Sequence, residues 1–447
     1  MMSDKSMIVK DELISKPQRI AASKFKYLKT WPKSNPTQIT VAGRTKVEFE
    51  IPTEWINYKR SLLRGKITIP QPGAAGQYNR YHAASVAFIS SVSFKLRTGE
   101  QLINQHPYVQ NWSRICLMYD KHMDEVMGND IRNAIFPYRS EQNPTGNYRR
   151  VDNSTISHPN VEPQYIVVGG DNQILEYEFS IPLSDILPHT LFAKGHDIKF
   201  PSIGWLAFEL GPGNRFAWVG TDATNPATGA APTANLTIAN LHLMLAVNDD
   251  PVYTTMLEHK MESGYTIILD DVVCQQVQKD GTKHTVEVTF NGAHGKRLKR
   301  IYHAMFSSNE QNHSSLNNNM SNTLVSYRVS INDRPTTDED IYLNPNSDYI
   351  TAFDLQKPLL EGTVVTNADI YNHNFVHIED VGRLGSPAEQ VRSGTRPDDV
   401  IGGYDLTKQD YKFSFVANFA ANTILYHYTF AVVQRELHIK GNQVILT

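Results

Sequence analysis

Residues 175–183 read LEYEFSIPL, with an apolar side chain at every second position up to the proline. This period of two is typical of a β-strand that turns one face to a hydrophobic core and the other to solvent. The same period occurs in residues 45–51, TKVEFEI, and in residues 241–247, LHLMLAV. Further strands are predicted at residues 61–70 and 86–96. The first half of the chain is therefore predicted to consist mainly of strands.

A second series of strands follows the turn-rich residues 248–251, NDDP. Its members are predicted at residues 265–269, 285–290, 300–306, 324–331, 411–416, 424–433 and 436–446. Two helices are predicted, one from Pro107 to Gly128 with apolar residues at helical spacing and a weaker one from Asn344 toward Phe353. The long connections are predicted to be surface loops or contacts with neighbouring molecules, and they are residues 129–163, 211–234, 307–322 and 382–403.

These patterns predict an all-β protein of two tandem jelly-roll β-sandwich domains, with long loop insertions and one or two short helices. A chain of 447 residues is long enough for two such cores. We assign residues 1–35 to a basic N-terminal arm, residues 36–250 to the first jelly-roll domain and residues 251–447 to the second. Roughly eight strands per domain fit a jelly roll, although composition alone does not distinguish it from other β-sandwiches.

The composition excludes several classes of protein. Hydrophobic residues make up 40% and charged residues 20%, and the net charge of −3 is too acidic for a protein whose main task is to wrap DNA. Cys116 and Cys274 are the only cysteines, which excludes a disulfide scaffold and fits assembly inside a cell. Residues 1–10 lack the apolar core of a signal peptide, and no apolar run approaches the roughly 20 residues that span a bilayer.

The residues of common catalytic sites do not occur at the spacing that their chemistry requires. The sequence contains no Gly-x-Ser-x-Gly elbow, phosphate-binding loop or dinucleotide fingerprint, and its 16 histidines form no His-Glu-x-x-His pattern. The acidic residues 270–271 and 338–340 lack the ligand spacing of a calcium loop. We therefore predict no catalytic residue, no cofactor and no metal site.

Two basic segments are the candidate binding sites. Residues 1–35 carry eight lysines and arginines against three acidic residues, which gives a local charge of +5. This arm is predicted to become ordered only against a partner, and the alternative is a solvated tail. The residues proposed to bind the partner are Lys16, Arg19, Lys24, Lys26 and Lys29.

The second basic segment consists of Lys296, Arg297, Lys299 and Arg300. We predict that it pairs with acidic loops of a neighbouring subunit or protects a strand edge from aggregation. The alternatives are an anion-binding or nucleic-acid-binding role and a nuclear-localisation signal.

Three segments resemble the double jelly-roll major capsid proteins of eukaryotic double-stranded DNA viruses, which include nucleocytoplasmic large DNA viruses, virophages, Polinton-like viruses and adintoviruses. Residues 181–183, IPL, followed by residues 201–210, PSIGWLAFEL, resemble a strand that ends in Ile-Pro-Leu and is followed by an apolar strand beginning with proline. Residues 288–302 resemble a stretch of the second barrel, and residues 430–443 resemble the closing strand. The three segments occur in the order and at the spacing of that family.

The resemblance implies a homotrimer whose six barrels form a pseudo-hexagonal capsomer, and capsomers that tile an icosahedral shell around the genome. The implied partners are neighbouring capsomers, penton proteins and minor capsid proteins, and the arm implies an inward contact with one of these, with an internal membrane or with DNA. The implied location is the virion capsid, assembled in the nucleus or cytoplasm of the host. Trp112, Trp205 and Trp218 are expected in the core or at trimer contacts.

Two other functions remain open from the residues alone. A trimeric viral spike or a carbohydrate- or receptor-binding β-sandwich would use residues 211–234 and 307–322 as binding loops. A glycan-processing enzyme would need a paired acid and base in a cleft, and sequence does not pair distant carboxylates.

Overall fold

The computed structural model describes a large part of the 447-residue chain. The described residues are 9–10, 24–34, 37–41, 44–69, 78–82, 88–122, 165–169, 175–211, 217–220, 236–290, 292–293, 295–307, 324–343, 349–363, 376–393, 400–401, 403–406, 412–420 and 424–446. The predicted loops 129–163, 307–322 and 382–403 lie wholly or partly outside these residues, as does most of residues 211–234.

Strands dominate the described part of the first half. They are β1 (Val9–Lys10), β2 (Phe25–Thr30), β3 (Gln38–Val41), β4 (Thr45–Ile51), β5 (Ile56–Ile69), β6 (Tyr78–His82), β7 (Ile89–Leu96), β8 (Gln101–Pro107), β9 (Tyr165–Gly169), β10 (Leu175–Pro182), β11 (Asp197–Ile198), β12 (Gly204–Leu210), β13 (Ala217–Gly220) and β14 (Leu236–Asn248).

Strands also dominate the described part of the second half. Its strands are β15 (Tyr265–Lys279), β16 (Thr285–Phe290), β17 (Arg297–Ser307), β18 (Leu324–Ile331), β19 (Arg334–Pro335), β20 (Ile341–Tyr342), β21 (Val376–Glu379), β22 (Val400–Ile401), β23 (Tyr404–Asp405), β24 (Phe413–Phe419), β25 (Leu425–Lys440) and β26 (Gln443–Leu446). The helices of both halves are α1 (Val109–Tyr119), α2 (Leu183–Ile186), a 3-10 turn (Leu191–Ala193), α3 (Pro251–Ser263), α4 (Tyr349–Leu360) and α5 (Pro387–Ser393).

The first half forms a β-sandwich of two antiparallel sheets. One sheet has the order β10-β5-β14-β2, with β11 beside β5 and β3 beside β14, and the other has the order β4-β12-β7-β8. Aromatic side chains fill the space between them, where the ring of Tyr58 in β5 lies 5.9 Å from that of Phe94 in β7. The alternation in β4 reflects burial of one face of the strand, because Val47, Phe49 and Ile51 are buried while the residues between them face outward.

The second half forms a second sandwich of the same kind. One sheet has the order β15-β25-β17-β21, with β23 beside β17 and β26 beside β25, and the other has the order β16-β24-β18-β19, with β20 beside β18. The ring of His303 in β17 stacks on Phe415 in β24 at 4.4 Å, which joins the two sheets. Together the two sandwiches confirm the predicted all-β class with two tandem barrels. A small sheet, β13-β6-β9, and the pair β1-β22 complete the pairing.

The helices exceed the one or two that the sequence predicted. The predicted helices at 107–128 and 344–353 correspond to α1 and α4, which begin and end at different residues. Helix α3 was missed because NDDP at 248–251 was interpreted only as a break between domains. Asp250 is in fact the N-cap, whose carboxylate accepts the backbone N–H groups of Val252 and Tyr253, and Pro251 occupies the first helical position.

Part of the predicted arm belongs to the first sandwich. Residues 25–30 form β2 and pair with residues 243–248 of β14, so the prediction that the whole arm orders only against a partner was wrong for this segment. The pairing satisfies hydrogen-bonding groups of β14 that would otherwise lie at a sheet edge.

The domain boundaries at residues 35 and 250 stay predictions. No helix in the described part of the chain is both long and apolar enough to cross a membrane.

Candidate functional site

The two sandwiches meet at helix α1, which follows the last strand of the four-stranded sheet. Trp112 is fully buried, and its indole ring lies 5.2 Å from Phe430 of β25 and 5.1 Å from Tyr302 of β17, measured between ring centroids. The indole N–H donates to the carbonyl oxygen of Pro188 at 3.0 Å, so the polar atom of this large side chain is satisfied within the first sandwich. The helix therefore connects the core of the first sandwich to the central strands of the second.

A buried ionic network crosses the same junction. The Arg300 guanidinium on β17 donates to Asp120 Oδ1 at 2.9 Å and lies 3.0 Å from Asp380 Oδ2. The Tyr302 hydroxyl donates to the Asp120 carboxylate at 2.6 Å, and His189 Nε2 lies 3.0 Å from Asp120 Oδ2. Asp120 and His189 belong to the first half of the chain, whereas the other three residues belong to the second. We call these five residues the junction network.

Burial controls the electrostatics of the junction network. Burial alone would raise the pKa of Asp120, but the hydrogen bond and charge of His189 and the charge of Arg300 outweigh it and lower this pKa to about 2. Asp380 is held in place by the backbone N–H groups of Leu384 and Gly385, at 2.9 and 2.8 Å. Its charged groups are paired and lie away from solvent, so we interpret the network as a structural contact that fixes the two sandwiches relative to each other.

The linker helix α3 adds a second contact at the junction. The indole N–H of Trp55 in the first sandwich donates to Glu258 of α3 at 2.8 Å, and Lys199 pairs with the same carboxylate at 2.6 Å. Leu257 and Met261 are the buried residues of the helix. The helix that joins the two sandwiches is thus attached to the first of them.

Three possible metal ligands lie within the junction. The ligand atoms of Cys116, Asp120 and His189 all lie within 4.8 Å of one another. A cation there would compete with the guanidinium of Arg300 and with the Tyr302 hydroxyl, both of which already bind the Asp120 carboxylate. We therefore interpret the three residues as part of the internal network, which makes a metal unnecessary for charge balance at Asp120.

Comparison with known proteins finds matches in structure only. No protein-family model matches the sequence, and neither does any curated protein. The crystal structure of PBCV-1 VP54, fitted into a reconstruction of the virophage Sputnik, is 10% identical and covers 97% of this chain and 98% of its own, with a TM-score of 0.58. The mavirus major capsid protein is 9% identical over 97% and 93% of the two chains, with a TM-score of 0.55. The Faustovirus major capsid protein is 11% identical over 95% and 92%, also with a TM-score of 0.55.

The chain has the double jelly-roll fold of viral major capsid proteins. The similarity extends over both sandwiches, since it covers 97% of this chain. The fold inferred from the three sequence segments is confirmed, and at 9–11% identity it is the fold alone that the comparisons establish.

The double jelly roll separates the residues of the predicted basic cluster. Arg297 is exposed and Lys296 is half-buried, but Lys299 and Arg300 are both 0% exposed. Lys299 pairs with Asp270 at 2.5 Å, and Arg300 pairs with Asp120 and Asp380. The prediction that these two residues face a neighbouring subunit was therefore wrong. Their partners lie in the same chain, and the low dielectric of the interior requires that pairing.

The arm lysines that the structure describes lie on the outside. Lys24, Lys26 and Lys29 are exposed, Lys26 pairs with Asp249 at 2.9 Å, and Lys29 Nζ lies 4.1 Å from the centre of the Trp31 ring. Lys16 and Arg19 lie outside the described residues. Their predicted contact with a partner stays a prediction for all five.

An exposed apolar edge lies beside these lysines. Strand β2 is the last strand of its sheet, and Tyr27 and Leu28 on it are 52% and 39% exposed. Trp31, directly after the strand, is 41% exposed. An edge strand with exposed apolar side chains is a surface at which another chain can pack. We call Tyr27, Leu28 and Trp31 the edge patch.

Sequence reasoning did not find the junction network. Asp120 lies 180 positions before Arg300, and Asp380 lies 80 positions after it. The signal that was available is the position of Arg300 within an apolar strand, LKRIYHAM, where an unpaired charge would be costly.

Proposed function

We propose that this chain is the major capsid protein of an icosahedral double-stranded DNA virus, with a structural role and no enzymatic one. The observation that carries the proposal is the fold, which matches two proteins described as major capsid proteins over at least 95% of this chain. Fold similarity links a chain to a function by analogy, so the assembly itself must be tested.

The proposed capsomer is a homotrimer in which six barrels form a pseudo-hexagonal outline. Two features of the chain support it. The junction network and α3 hold the two barrels in one arrangement, as a tile with a constant outline requires. The edge patch offers apolar surface for contact between copies, since obligate interfaces bury much apolar area.

The first prediction concerns this trimer. The purified chain is expected to show a mass near three times 50.5 kDa by light scattering, and negative-stain averages are expected to show a three-fold particle with a six-sided rim. A monomer, or a trimer with an elongated outline, would contradict the proposal and favour a spike or a receptor-binding protein. Replacing Tyr27 and Leu28 by serine is expected to shift the mass toward the monomer.

We further propose that the basic arm contacts the inner side of the shell, where a minor capsid protein, a membrane or genomic DNA would be its partner. The proposed contact residues are Lys16, Arg19, Lys24, Lys26 and Lys29, and neighbouring capsomers and penton proteins are the other expected partners. The support is charge alone, a local +5 over residues 1–35. The protein would then reside in the virion capsid and assemble in the nucleus or cytoplasm of the host.

A truncation tests the arm. Deleting residues 1–23 removes β1 and its two-residue pairing with β22 but ends before strand β2 begins at Phe25, so both sandwiches are retained and the trimer is expected to stay intact. Particle yield is expected to fall when the other capsid proteins are co-expressed. Replacing Lys16 and Arg19 by serine in the full chain should reproduce the defect, while replacing Asp11 and Glu12 by serine serves as the matched control. Wild-type particle yield from the truncated chain would exclude the inner contact.

A further inference from the structure

An open cleft of about 740 Å³ lies on the outer face of the sheet β4-β12-β7-β8. Its polar and aromatic lining consists of Lys33, Glu48, Lys95, Arg97, Gln101 and Trp205. The register of the sheet brings them together, because Trp205 is paired with Lys95 on the neighbouring strand and Lys95 is paired with Gln101 on the next. Paired residues of adjacent strands project from the same face of a sheet, so these side chains face one space.

The cleft has an excess of positive charge. Lys33, Lys95 and Arg97 contribute three cations against the single carboxylate of Glu48, and that carboxylate is already paired with Lys46 at 2.6 Å. Among the described residues, neither Lys95 nor Arg97 has an acidic partner within ion-pair distance. Both side chains are exposed, so their charge is available to a ligand.

Trp205 forms an aromatic wall of the cleft. Its side chain is half-buried, and Lys33 Nζ lies 4.5 Å from the centre of the ring. Trp205 was expected in the core or at a trimer contact; its outward, half-buried side chain lies outside the core, and the trimer contact stays a prediction. An indole ring at a wet surface offers an apolar face to a ligand that also carries polar groups.

We propose that this cleft binds an acidic sugar residue of a glycan, one that carries a carboxylate or a sulfate group. Arg97 and Lys95 would bind the anionic group, since guanidinium and ammonium groups are the usual donors to such oxyanions. Trp205 would pack against the apolar face of the sugar ring after the Lys33 ammonium, which lies over the indole ring, moves aside. The Gln101 amide and Glu48 carboxylate would bind hydroxyl groups. This inference goes beyond the proposed capsid role and does not depend on it.

The lining favours a sugar over nucleic acid. The Glu48 carboxylate can accept hydrogen bonds from sugar hydroxyls, which the backbone of DNA does not offer. Proteins that bind single strands combine a continuous basic groove with several aromatic platforms, whereas the lining of this cleft has one aromatic residue, Trp205.

The test is titration calorimetry on the purified full-length protein with four probes: a hyaluronan hexasaccharide, a heparin hexasaccharide, neutral cellohexaose and a 12-nucleotide oligothymidylate. We expect one or both acidic saccharides to bind. Hyaluronan carries carboxylates alone and heparin carries carboxylates and sulfates, so binding of heparin alone would assign the site to sulfate, and binding of hyaluronan would show that a carboxylate suffices. Cellohexaose and the oligonucleotide are expected to bind at least about tenfold more weakly. Absence of binding by both acidic saccharides, or equal binding of the oligonucleotide, would overturn the proposal.

Variants locate the site. Arg97→Glu and Lys95→Glu are each expected to weaken binding by about tenfold or more, and Trp205→Ala is expected to do the same. Arg97→Gln provides a milder change at the same exposed position. The matched control is Arg64→Glu, an exposed arginine on β5 in the other sheet, which should leave affinity unchanged. Equal losses in the control and the cleft variants would show non-specific attraction of polyanions and overturn the proposal, whatever the mass of the capsomer.

Discussion

Replacing Arg300 by alanine is expected to lower the thermal unfolding midpoint of the protein by about 6–20 °C. The substitution leaves the carboxylates of Asp120 and Asp380 buried without their shared cation, and loss of one partner of a buried pair costs about 3–5 kcal/mol. For a domain of roughly 200 residues, each kcal/mol shifts the midpoint by about 2–4 °C. The measurement is differential scanning fluorimetry at pH 7.5, with trimer yield as a second readout.

Arg297→Ala is the matched control for this prediction. Arg297 lies three positions earlier on the same strand and is exposed, so its loss should change stability by less than about 0.5 kcal/mol. The double variant Arg300→Ala with Asp120→Asn should lose less stability than the two single variants together predict, because the second change removes a carboxylate that the first leaves unpaired. An unchanged midpoint in Arg300→Ala would show that the junction network contributes nothing to stability.

The strands were predictable because their period of two reflects burial directly. Residues 45–51, 285–290 and 324–331 form strands within the bounds that alternation predicts. In each of them one face of the strand meets the core, so the sequence carries the signal of the fold in its side-chain pattern. The order of three family-like segments then indicated a double jelly roll, which composition alone could not separate from other sandwiches.

The burial of Lys299 and Arg300 in the basic cluster was not predictable from this alternation. Alternation implies that Lys299 and Arg300 point to opposite faces of the strand, so one of them should be exposed. The structure has a register shift between Leu298 and Arg300 where β17 pairs with β25, which leaves Lys299 as an extra residue. A β-bulge of this kind changes the direction of adjacent side chains, and here both lysine and arginine are buried. Their carboxylate partners come from distant parts of the chain.

A second large effect is expected from acid. Lowering the pH from 6.5 to 5.0 should reduce the free energy of unfolding by about 3 kcal/mol through His427 and His106, with a further loss in the same direction through His303; all three are buried and neutral in the folded protein. Burial lowers the pKa of His427 to about 3 and the pKa of His106 to about 4. Burial, together with the nearby His427 and His377, holds the pKa of His303 well below its ordinary value of 6.5.

The sign follows from proton uptake by the two states. Each of these histidines has a lower pKa in the folded state than in the unfolded state, so the unfolded chain binds more protons once the pH falls below about 6.5. Each group then costs about 1.4 kcal/mol of stability per pH unit until its folded pKa is reached. The pKa of Asp120 is already lowered to about 2, so its contribution is lost only below about pH 4 and does not enter this window.

Three histidines of the second sandwich pack as a group. The ring of His303 lies 5.2 Å from His427 and 6.2 Å from His377, and His377 is paired with Glu379 at 2.5 Å.

Urea unfolding at pH 7.5, 6.5, 5.5 and 5.0 measures how the free energy of unfolding changes with pH, and we call this change the acid slope. His427→Phe keeps an aromatic ring against Phe415 and should reduce the acid slope, since it removes one of the three titrating groups. His259→Asn, at a side chain 77% exposed, should leave the slope unchanged. A wild-type slope near zero between pH 6.5 and 5.0 would mean that these histidines accept protons in the folded state, and the acid sensitivity of the double jelly roll would then lie elsewhere.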